Sequence, residues 1–152
     1  MGATITHTLV NSGTAVNLYG VDISYGWKSL SDVSPAESSY DIVPCQSKGF
    51  ENPTINVTGV IDVNNVGTNE LTQQLLINFA TLQTTTPITF ALTCGTNSYA
   101  LGGRPSGGYS TSGTQTLGST ISVFIDSFNI SLDSSSDRNH IWRYSINFIE
   151  TR

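Results

Sequence analysis

The sequence predicts a mainly β fold, antiparallel, with a single helix laid across a sheet. Three observations predict it. Apolar and polar residues alternate at period two through much of the chain, the pattern of half-buried strands. Only Leu71, Leu75, Leu76, Phe79 and Leu82 recur at helical spacing. That helical stretch, about residues 70–83, lies between two strand patterns, so its apolar stripe needs a sheet to cover. At 152 residues the chain suits one domain, 1–152, large enough for a real hydrophobic core.

Taken in order, residues 3–10 read as a strand with Ile5, His7 and Leu9 on one face, and 11–14 as a turn. Residues 15–24 form a second strand. Val16 and Leu18 share a face, Val21 and Ile23 take the opposite phase, and Gly20 between them fits a bulge. A hairpin of these two strands is the simplest topology.

Residues 25–52 have two prolines and no sustained period, yet carry Tyr25, Trp27, Leu30, Val33, Tyr40, Ile42, Val43 and Phe50. A disordered linker would not hold so many large apolar groups. A loop this long inside a compact domain is usually functional, so docking onto another molecule is one reading. The other is that 41–43 or 47–51 forms an irregular edge strand.

Residues 54–63 place Ile55, Val57, Ile61 and Val63 on one face, with Gly59 between them. Turn residues 64–67, the helix, and a strand carrying Ile88, Phe90 and Leu92 follow. Residues 97–101 read as a short strand and the glycine-rich stretch 102–118 as a loop or long hairpin tip. In 120–132 the apolar phase flips: Ile121, Val123 and Ile125 share one face, Phe128, Ile130 and Leu132 the other. The flip at Asp126-Ser127 calls for a bulge or a change of layer. After a polar turn, Trp142, Tyr144, Ile146 and Phe148 alternate through 141–150, which pairs back as an antiparallel hairpin.

Charged residues are only 11%, against about 25% in average soluble domains, and net charge is −5. The polar faces are therefore mostly Ser, Thr and Asn, which can meet another subunit without desolvating ions. Six scattered Lys and Arg make no basic patch, so neither specific nucleic-acid binding nor an anionic membrane surface is expected. No apolar run approaches the roughly 18 residues of a membrane-spanning helix. The first residues have neither the basic segment nor the apolar stretch of a secretory signal. Cys45 and Cys94 are too few for a disulfide scaffold; a bridge between them stays open, with two partly buried thiols as the expectation.

Candidate chemistry is sparse. His7 and His140 have no Cys or second His at metal-ligand spacing. The run 133–137 lacks the spacing of an oxygen-rich cation loop and reads as a solvated turn. Gly102-Gly103 and Gly107-Gly108 are followed by neither a Lys-Ser/Thr pair nor a helix, so no phosphate loop is read. Without a triad, metal site or cofactor loop, an enzyme is not expected, and no cofactor. Asp62 and Asp126 point away from the main apolar residues of their strands, among Thr58 and Ser122. Such a face is either a solvent-facing sheet surface or, if it lines a channel, an acidic wall.

The pattern resembles phage-type tail tube proteins, including those of contractile injection systems. Gly49-Phe50 leading into the strand 55–63, the single helix 71–82, the strand 88–92, and the closing hairpin 120–132 with 141–150 carry the resemblance. It covers most of the chain as a pattern. The glycine-rich loop departs from it, and 25–52 does not align residue by residue. The resemblance implies a two-sheet β-sandwich or half-open barrel with one flanking helix. It implies a virion component, assembled in the host cytoplasm, in which six copies close into a ring and rings stack into a conduit for DNA or an effector. Its partners are further copies and other tail proteins, with DNA in transit only. Tyr25, Trp27, Leu30, Val33, Tyr40 and Ile42 then become subunit-contact residues. Thr58, Asp62, Ser122 and Asp126 face the lumen. Two other readings share the sequence: a monomeric carbohydrate-binding or adhesin-like module using Trp27, Tyr99 and Tyr109 as a platform, and a tail terminator or baseplate ring of the same fold.

Overall fold

A computed structural model describes residues 2–19, 21–26, 28–33, 45–94, 97–99, 120–133 and 140–151. The period-two stretches become strands. β1 (Gly2–Thr6) and β2 (Val16–Tyr19) form the opening hairpin, with Ile5 opposite Val16. β3 (Asp22–Gly26) pairs with β6 (Thr54–Asp62). β4 (Ser29–Val33) and β5 (Cys45–Phe50) pair with each other. β7 (Ile88–Cys94) follows the helix, and the short β8 (Asn97–Tyr99) folds back on its end. β9 (Thr120–Leu132) and β10 (Ile141–Glu150) are the long closing hairpin.

The main sheet runs β2-β1-β7-β9-β10-β6-β3, antiparallel at every step, with β8 attached to β7. Its two outermost strands, β2 and β3, are consecutive in sequence and separated by two residues. Laid flat, seven strands would hold those edges roughly 29 Å apart. Two intervening residues span at most about 11 Å. The sheet therefore curls edge toward edge into a half-open barrel. Residues 15–24 are thus not one strand: β2 and β3 stand at opposite edges of the sheet, and Gly20, where a bulge was expected, lies outside the described residues.

The curl makes one core from the seven strands of the main sheet. Ile5, Val16, Leu18, Ile55, Val57, Phe90, Val123, Ile146 and Phe148 are fully buried in a single cluster. Phe90 of β7 and Phe148 of β10 meet with ring centroids 5.5 Å apart. Gly59 sits opposite Tyr144, whose ring lies over it. A Cβ at Gly59 would be 2.6 Å from Tyr144 Oη and 2.8 Å from Val21 Cγ1, so the gap in the strand's apolar pattern is filled from the next strand.

The helix α1 (Gln73–Ala80) covers this core with Leu76 and Phe79, flanked by half-buried Leu75 and Leu82. It is shorter than the expected 70–83. Thr72 caps it, its Oγ1 accepting from Leu75 N at 3.2 Å. Upstream, the backbone is committed elsewhere: Asn17 N donates to Asn69 O and Leu71 N to Asn17 O, so residues 69–71 run along the edge of β2.

Two further sequence expectations are corrected. Leu9 does not share the buried face of Ile5 and His7; β1 ends at Thr6 and Leu9 is 72% exposed. His7 is buried because both ring nitrogens are used. Nδ1 accepts from Leu9 N and Nε2 donates to Thr86 O, each at 3.1 Å, tying the turn to the approach of β7. Residues 25–52 are not a structureless loop, since β3 ends in them and β4 and β5 pair within them. Residues 102–118 lie outside the described residues.

Candidate assembly surface

β3, β6, β10 and β9 are neighbours in that order, and every second residue points away from the core. Register builds rows across this outward face. Ser24, Asn56, Asn147 and Ser127 make one; Asp22, Thr58, Ser145 and Asn129 the next; Val60, Arg143 and Ser131 a third. Side-chain bonds link the first row: Asn56 Nδ2 donates to Asn147 Oδ1, and Asn147 Nδ2 donates to Ser127 Oγ at 2.9 Å. Arg143 is held by Asp133 at 3.2 Å. The first two rows are thus mostly short uncharged donors and acceptors, with Asp22 ending the second and Arg143 in the third. A shallow groove of about 320 Å³ crosses this face between Asp22, Thr58, Asn129, Ser131, Arg143 and Ser145.

Thr58 and Asp62 lie on this face. Asp62 Oδ1 accepts from Asn64 N at 3.0 Å and stands 3.9 Å from His140 Nε2. Ser122 faces the same way at the other end of β9, opposite Thr89. Asp126 is the bulge residue. Ile125 pairs with Phe148 and Ser127 with Asn147, so Asp126 is left without a place in the ladder. That one extra residue flips the phase of β9 and keeps both Val123 and Ile130 on the core side. All four residues avoid the core, spread along the sheet rather than converging on a point. Among the described residues, no three His, Cys, Asp or Glu side chains come together as a metal site.

The edges of this four-stranded half differ from the rest of the barrel. β2, the other outermost strand, is lined by residues 69–71. β3 has β6 on one side and, among the described residues, no strand on the other. β9 pairs with β7 only through residues 120–123 and, among the described residues, continues nine residues further against β10 alone. Asp133 N donates to Ile141 O, so the alternation of an antiparallel ladder turns the backbone N–H and C=O of Phe128, Ile130 and Leu132 outward. An exposed row of such groups is a template for another strand.

Of the expected contact residues, Tyr25 is half-buried on the core side of β3, and its hydroxyl donates to Glu150 Oε2 at 3.1 Å. Burial, and then the carboxylate, push the Tyr25 hydroxyl above its ordinary pKa. Burial also raises the Glu150 carboxyl, against the lowering effect of the Tyr25 bond. Leu30 and Val33 are on β4. Trp27, Tyr40 and Ile42 lie outside the described residues, as do Tyr109 and the turn 134–139. Glu51 N donates to Lys28 O at 2.8 Å, joining the β3–β6 and β4–β5 pairings into one ribbon. β4, in the β4–β5 arm of this ribbon, is about 17 Å long. No sequence signal marked the free edges, because they are properties of the backbone. The arm had one, the apolar content of 25–52, but no period to reveal its strands.

No protein-family model matches this chain, and no curated protein is similar enough to count as a relative.

Proposed function

We propose that the protein is a structural virion component, a tail tube subunit that assembles into stacked six-membered rings and forms a conduit for DNA or an effector. The observation that carries this reading is the half-sheet β3-β6-β10-β9. Among the described residues it ends in β3 on one side and in the length of β9 beyond Val123 on the other, with a mostly uncharged polar face between them. The number of strands matters. Four antiparallel strands leave β9 and β3 running in opposite directions. Copies related by rotation about an axis along the strands then meet β9 to β3 in antiparallel pairing, and the alternation continues around the ring. Six copies make a barrel of 24 strands, about 37 Å across or more once the strands tilt. Barrels of fewer strands already hold a water-filled channel.

In this assembly the polar face lines the lumen, so Thr58, Asp62, Ser122 and Asp126 face the cargo and the apolar cores and helices lie outside. On this wall of Asn, Ser and Thr with a few aspartates, the cation of Arg143 is paired with Asp133, which leaves little positive charge to hold a phosphate backbone. The role is mechanical and electrostatic.

Replacing Ile130 by Pro tests ring closure, because it removes an N–H on the outward side of β9 where an edge strand tolerates proline. Ile130→Ala removes a similar amount of packing and keeps the N–H. The expected outcome in sedimentation and negative-stain images is rings or tubes for the wild-type chain and Ile130→Ala, and folded monomers for Ile130→Pro. A wild-type chain that stays monomeric and binds a glycan array would replace this reading with the carbohydrate-binding one.

A further inference from the structure

We propose that His7 is an acid-released latch on the turn between β1 and β2. The device belongs to the single subunit and does not depend on the ring reading above.

The latch is set by the geometry of one ring. His7 is 3% exposed, just past the end of β1. Its Nδ1 accepts from Leu9 N and its Nε2 donates to Thr86 O, each at 3.1 Å. A ring that accepts at one nitrogen and donates at the other carries a single proton, on Nε2. A second proton has only Nδ1 to go to. There it turns the acceptor into a donor that faces the N–H of Leu9. The closed turn thus holds the neutral ring, whereas an open turn that gives His7 to water holds either form. Acid therefore shifts the turn toward its open state.

The surroundings offer no counter-charge. Residues 2–19 and 71–94 include the latch, its carbonyl partner and the helix, and contain no Asp, Glu, Lys or Arg. Their other titratable side chains, Tyr19 and Cys94, stand at the far ends of β2 and β7. The acids on adjoining segments are Glu70 and Asp126. The Glu70 carboxylate accepts from Gly67 N at 2.7 Å, and Asp126 is the bulge residue of β9. Among the described residues, His7 stands in no ion pair. A buried charge without a partner is costly.

The turn is poised to respond. Asn11, Ser12 and Gly13 stand at φ 51°, 54° and 76°, three left-handed residues in a row. Backbone of this kind persists only where its surroundings hold it. Releasing Leu9 N and Thr86 O removes two of the holds. The same turn braces the edge of β2: Asn11 Nδ2 donates to Asn69 Oδ1 at 3.2 Å, and Asn69 O accepts from Asn17 N. Unlatching loosens this corner and leaves the strand ladders in place.

Amide hydrogen exchange read by NMR tests the latch at about pH 7.5 and about pH 5, the range over which histidine changes charge. Rates are corrected for the intrinsic effect of pH. In the wild-type chain, protection of the Leu9 and Val10 amides should fall about tenfold or more, while the core amide of Ile146 keeps its protection. His7→Gln keeps an acceptor and a donor but does not titrate, so its Leu9 protection should be equal at both pH values. Unchanged Leu9 protection in the wild-type chain would overturn the proposal. So would an equal fall in His7→Gln, or an equal fall at Ile146, which is general acid unfolding. The ring-carbon signals of wild-type His7 give a check that needs no variant. They should titrate together with the Leu9 amide, and a ring that titrates alone or not at all overturns the latch.

Discussion

Glu150 is the residue where position and chemistry conflict most. Alternation along β10 turns it toward the core side at the base of the arm, where Tyr25 donates to it. Burial raises its carboxyl above the ordinary carboxylate range. A folded-state value above the unfolded one means that the folded protein binds the proton more tightly. The resulting stability is fully present below the unfolded value of about 4.3 and is lost as pH rises through the folded value. Glu150→Gln keeps an acceptor for the Tyr25 hydroxyl and removes the charge. The variant should melt above the wild type at pH 7, by less than about 1 kcal/mol because water screens the partly exposed group. The two curves should converge below about pH 4. An unchanged difference across that range would show that the carboxylate carries no such penalty. Neither residue's sequence neighbourhood points to the pair, which is 125 positions apart.

At the scale of elements, the helix and the bulge show how far local pattern reaches. The stripe of Leu76 and Phe79 was legible because helical spacing is a local property. The helix ends were not, because residues 69–71 are drawn into backbone contact with β2. Thr72 marks the true start. Thr72→Ala should cost about 1 kcal/mol, read as a melting temperature lower by roughly 2–4 °C, with the native sheet retained. The phase flip of β9 was legible for the same local reason, and its structural form is the bulge at Asp126. The arm is not legible in 25–52, because its candidate segments, 41–43 or 47–51, read as an irregular edge strand of the domain. Its strands pair with each other instead.

For the whole molecule, the decisive fact is which strands are neighbours. The curl follows from two residues joining β2 to β3, and the free edge of β9 follows from β7 stopping at Ile88 opposite Val123. If rings close through backbone pairing between polar, nearly uncharged faces, their assembly should respond weakly to salt. Raising NaCl from about 0.05 to 0.5 M shortens the screening length severalfold and should change the ring-forming concentration by no more than about twofold. A steep salt dependence in sedimentation would point to charged contacts and against this closure. The sequence by itself determined most strands of the main sheet, the single helix, the phase flip and the polar second face, because each is written in residues a few positions apart. Only the tertiary structure decided the curl, the arm and which strands stand at the edges among the described residues. Those depend on pairing between segments far apart in the chain, and the composition of a strand does not say which strand will lie beside it or where that partner stops.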